Sequence, residues 1–195
     1  MTALDIANEA LSLLGVEPIF AMDEQTKSAR VMSHYLPIIT DRVLMEFPWS
    51  FAVKWVRSDL GTSATRTEFG FAHPIPTDLL SVYLISVGDG SIGNKMGKTP
   101  LYFQRMGDII YTDTPLIDIT YIARITDYSA WTAQVLSCLS CRLAMDTANL
   151  MMASLPTANA LRDRYAMLIR VAAASSVVEQ HFIKNDPSQY ILARN

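Results

Sequence analysis

Leu4, Ala7, Leu11 and Leu14 recur at helical spacing and define one apolar face. Thr2 followed by Asp5 makes a capping box ahead of them, with Asp in the usual place of Glu. Gly15 supplies a left-handed residue after the last turn and Pro18 prevents resumption, so a helix over residues 3–14 is predicted. A second stripe, Met32, Tyr35, Leu36, Ile39, Val43 and Phe47, predicts a helix over residues 26–47. Pro37 should kink or break it, and Pro48 ends it.

Past Trp49 the period changes. Residues 80–87, 101–105, 108–112 and 117–122 are rich in β-branched and aromatic side chains and are bounded by Gly, Pro, Asp and Asn, as strands are. Met106-Gly107-Asp108 reads as a hairpin turn. Helical spacing returns over residues 130–154, through Trp131, Val135, Leu139, Leu143 and Leu150. After Pro156 it continues over residues 157–182, through Leu161, Tyr165, Leu168, Ala172 and Val178. The expected fold class is α+β, mainly an antiparallel α-helical bundle with an inserted small antiparallel β subdomain. Residues 1–50 and 127–183 would form the bundle, 51–126 the β-rich insertion and 184–195 an extended tail.

Half of the 195 residues are hydrophobic and only 18% are charged. Mean hydropathy is +0.19, high for a chain that has no expected membrane span. The excess points to apolar surface kept for other subunits. Sixteen Lys and Arg against nineteen Asp and Glu give a net charge of −3, where a dedicated nucleic-acid binder would be basic. The opening Met1-Thr2-Ala3-Leu4-Asp5 holds no basic leader, so no signal peptide is expected.

Candidate chemistry is sparse. Residues 88–93 spell G-x-G-x-x-G after a strand, but Gly97 and Pro100 follow where a dinucleotide site needs a helix. Residues 93–99 fall one position short of a P-loop, again with Pro100 where the helix must start. Cys138 and Cys141 form C-x-x-C in mid-helix, away from the helix N-terminus that activates a thiol, and without the other ligands zinc requires. Buried structural thiols are expected. His34, His73 and His181 are scattered, and no triad is legible. No catalytic, cofactor-binding or metal residue is assigned, and no enzyme activity is expected. Phe47, Pro48, Trp49 and Phe51 form a rigid aromatic plug at a chain turn, a structural anchor between the helical and β parts with Trp49 and Phe51 largely buried. Tyr190, Ile191 and Leu192 form an apolar group in a polar tail, a candidate contact with another subunit.

The succession of Ile6-Ala7-Asn8-Glu9-Ala10-Leu11, Leu14-Gly15, Pro18-Ile19 and Pro48-Trp49-Ser50-Phe51-Ala52 resembles the tail tubular protein A family. These are the head-to-tail adaptor, or gatekeeper, proteins of short-tailed bacteriophages. Pro74-Ile75-Pro76-Thr77-Asp78-Leu79-Leu80, the hairpins, residues 116–122 and two long C-terminal helices continue the likeness in order to about residue 182. The resemblance implies a non-enzymatic structural protein of the virion neck, in the host cytoplasm during assembly. It would form a homo-oligomeric ring, a dodecamer, between the portal protein and a tail nozzle protein like tail tubular protein B. Double-stranded DNA would pass through its channel without specific binding, and no membrane insertion is implied. A cytosolic enzyme or small-molecule-binding module on a helical bundle, and a transient assembly chaperone, are the alternatives.

Overall fold

The computed structural model describes residues 1–59, 62–63, 68–87 and 101–182. The chain divides into two units, Met1–Phe51 with Ile125–Asn195, and Ala52–Arg124.

The first unit is helical. Helix α1 spans Ala3–Leu13 behind the capping box: Thr2 N–H donates to Asp5 Oδ2 at 2.7 Å and Asp5 N–H to Thr2 Oγ1 at 3.2 Å. Gly15, at φ +69°, closes the other end, with Val16 N–H reaching Leu11 O at 3.0 Å and Gly15 N–H reaching Ser12 O at 3.1 Å. Helix α2 spans Lys27–Glu46 with Thr26 as its cap. Pro37 lies inside it without ending it. The residue is exposed, so the carbonyl it leaves without a donor, that of exposed Ser33, falls on the solvent side. Phe47, ahead of Pro48, turns to extended backbone at φ −151° and ψ 147°, as a residue before proline must.

Helix α3 is shorter than its periodicity suggested, Ala133–Thr147, after a single 3-10 turn at Tyr128–Ala130. Leu150 falls outside it and is exposed. Met152 takes φ +58° in the connection, and Ser154 then caps α4 by accepting from Thr157 N–H. Helix α4 spans Leu155–Phe182, so Pro156 belongs to its first turn instead of separating two helices. There the missing N–H would have had no intrahelical partner anyway. α3 is the central helix and packs against α1, α2 and α4. Its fully buried Cys138, Leu139, Leu143 and Ala144 share a core with Ile6 and Leu11 of α1, Met32, Ile39 and Val43 of α2, and Leu161 and Ala172 of α4.

The second unit is built of strands: β1 Val53–Ser58, β2 Thr62–Ser63, β3 Phe71–Pro74, β4 Leu79–Val87, β5 Gln104–Met106, β6 Ile109–Thr112 and β7 Ile117–Ala123. One antiparallel sheet has the order β1-β7-β4, the other β2-β3-β6-β5. β7 lies between two partners, and every residue of it except Thr120 is buried. Asp118 is buried with it and answered by Arg57, its register partner on β1, through Nε–Oδ1 at 2.9 Å. Gly107 at φ +58° makes the two-residue β5–β6 turn, where a mirror-image hairpin turn requires a positive φ.

This corrects the expected fold class. The chain is not mainly a helical bundle with a small inserted sheet: among the described residues 46% are helix and 22% strand, and the strands form two separate sheets. The strand unit holds a core of its own, with Ile85, Ile110, Ile117 and Ile119 almost fully enclosed. Three of its strands escape the pattern, β2 being only the two residues Thr62–Ser63. β1 interleaves Lys54, Arg57 and Ser58 with its apolar residues, and β3 is a four-residue Phe-Ala-His-Pro run that ends in proline.

Candidate functional site

The polar clusters of both units are closed on themselves. In the helical unit, Arg142 of α3 donates through Nη1 to Glu46 Oε1 and through Nε to Asp146 Oδ1 at 3.2 Å. Arg42 of α2 donates to Asp146 Oδ2 at 3.0 Å, and the Tyr165 hydroxyl of α4 donates to Glu46 Oε2. All four carboxylate oxygens are taken, the two charges of each sign cancel, and the Arg142 guanidinium also lies 5.3 Å from the Tyr165 ring centroid. Burial, reinforced by the Glu46 carboxylate, pushes the Tyr165 hydroxyl well above the ordinary tyrosine value. The arrangement ties α2, α3 and α4 together and leaves no carboxylate oxygen spare for acid–base work.

In the strand unit, Lys54 Nζ meets Asp78 Oδ2 at 2.7 Å and the Tyr121 hydroxyl donates to Asp78 Oδ1 at 3.0 Å. The lysine holds the Asp78 carboxyl below its usual range, while burial lifts Tyr121 to about 12. His73 is fully buried. Thr114 O, which can only accept, lies 3.0 Å from Nε2, so that nitrogen carries the proton, and Nδ1 meets the Ser58 hydroxyl at 3.0 Å. A backbone carbonyl thus stands where a hydrolytic triad would place a carboxylate.

Cys138 and Cys141 are free and buried one turn apart on α3. Burial raises both thiols, Cys138 to about 12, which is the reverse of activation. His34 is exposed, edge-on to Tyr35 at 5.2 Å. Among the described residues, no group of three or more His, Cys, Asp or Glu could hold a metal ion. The glycine-rich stretches at residues 88–99 lie outside the described residues, as do the His181 side chain and Tyr190, Ile191 and Leu192.

Trp49 is fully buried, donates from Nε1 to Val43 O at 2.8 Å and lies 5.1 Å from the Phe47 ring. Phe47, Pro48 and Phe51 are half-buried, and Phe51 lies 5.2 Å from Trp131 with the rings tilted by 38°; the buried indole N–H of Trp131 has no hydrogen-bond partner. Phe51 is therefore less enclosed than expected. The dent beside Trp49, Phe51, Val135 and Ser176 encloses about 0 Å³, without room for a water molecule. Small-molecule sites occupy about 300–1,000 Å³.

Unlike these closed clusters, the outer side of α4 is open. Leu161, Tyr165 and Ala172 turn inward, while Met167, Val171, Ala174 and Val178 are exposed, Met167 by 71% and Val171 by 61%. The four recur at intervals of four, three and four residues and so form a continuous second stripe. Arg164 and Arg170, each three residues from Met167, and Asp163, four residues before it, are exposed beside it. A second exposed apolar point is Phe20, 89% accessible, in the connection between α1 and α2. Its backbone is held firmly. Asn8 of α1 accepts from Ile19 N–H and donates to Ile19 O, both at 2.9 Å, and Phe20 N–H donates to Glu24 Oε1 at 2.9 Å.

No family model matches the chain, and no curated protein matches its sequence.

The sequence reading missed both open features. Val178 was expected on the inward stripe, but it lies six residues beyond Ala172, about 1.7 turns at 3.6 residues per turn, and so faces away. The available signal was the composition of α4, where apolar residues outnumber what one face can carry. Nothing in the residue types around Phe20 separates a presented side chain from a buried one.

Proposed function

We propose that the chain is a structural head-to-tail adaptor of a short-tailed bacteriophage, forming a ring between the portal protein and the tail nozzle and continuing the DNA channel. The observation that carries the reading is the outer stripe of α4. Helices of a self-sufficient unit present polar residues outward, and contiguous exposed apolar surface marks sites of protein–protein contact. The order of segments shared with the tail tubular protein A family supplies the kind of assembly. The net charge of −3 is consistent with a conduit, because each Lys or Arg meeting phosphate releases counterions and holds the DNA. Among the described residues no helix is long and apolar enough to cross a membrane.

Mass photometry of the chain with and without the portal protein of the same phage tests the proposal. A discrete portal-bound complex with one adaptor per portal subunit is expected. A chain that neither binds the portal nor associates with itself would refute it.

A further inference from the structure

No further inference is drawn: the strongest candidate, the exposed apolar stripe of Met167, Val171, Ala174 and Val178 along the outer side of α4, belongs to the site already described, and nothing in the structure shows what covers it.

Discussion

Replacing Trp49 by alanine should unfold most of the helical unit's margin of stability. The indole is fully enclosed, and its N–H satisfies Val43 O at 2.8 Å. An aromatic side chain of this kind buries about 150–250 Å², which at roughly 25 cal/mol per Å² sets a ceiling of about 4–6 kcal/mol against an extended chain. Measured losses for Trp or Phe to Ala in cores run about 3–5 kcal/mol. The variant also strands the Val43 carbonyl, which adds about 1–3 kcal/mol if water cannot reach it. A loss of about 4 kcal/mol is the central expectation, a large share of the about 5–15 kcal/mol that holds an ordinary domain together. Urea unfolding followed by far-UV ellipticity measures it, with Trp49→Phe as the companion. Phenylalanine keeps most of the ring and loses only the donor, so its cost should be about 1–3 kcal/mol. An alanine variant within about 1 kcal/mol of the parent would refute the anchor assignment.

Three further outcomes follow from the geometry. Cys138 and Cys141 should resist alkylation at pH 8 in the native protein and react only at the rate of unfolding, because burial raises both thiols and suppresses the thiolate; labelling as fast as a free peptide thiol would contradict this. Tyr121, at about 12, and Tyr165, shifted in the same direction, keep their protons in the folded state after the unfolded chain has lost them, so their contribution is complete below about pH 10 and is lost as pH rises beyond it. Tyr165→Phe should flatten that alkaline decline in pH-dependent urea midpoints, and an unchanged slope would remove the assigned role. Asn8→Ala should destabilise by about 1–3 kcal/mol and speed amide exchange at Ile19, whose N–H and carbonyl both lose a part-buried partner; protection equal to the parent's would show that the loop is held some other way.

What the sequence disclosed depended on how local the determining interaction was. The ends of α1 were legible because Thr2, Asp5 and Gly15 act within one turn of the residues they cap. The Gly107 turn was legible for the same reason. Strand β1 was not. Lys54 and Arg57 read as loop residues, and only their partners, Asp78 and buried Asp118, distant in sequence, make a strand position acceptable for them. The end of α3 was misplaced because the apolar period runs on through Leu150, while the αL conformation at Met152 and the cap at Ser154 come from residue types that carry weak signals. Of the four residues of the expected aromatic anchor, only Trp49 is fully enclosed. The outer face of α4 was invisible because apolar side chains announce burial without saying whether the chain's own core or another molecule supplies it. Composition registered that excess; the fold located it at Met167, Val171, Ala174 and Val178.

The adaptor account, which assigns this chain to a short-tailed phage, is tested most directly by quantifying it in that phage's purified, DNA-filled particles, by mass spectrometry against the portal protein as internal standard. The account predicts that the chain is a constituent of finished virions at one copy per portal subunit, and that particles lacking it retain the portal but carry no nozzle. A chain abundant in the infected cell but absent from finished particles would contradict it and leave a transient assembly role in its place.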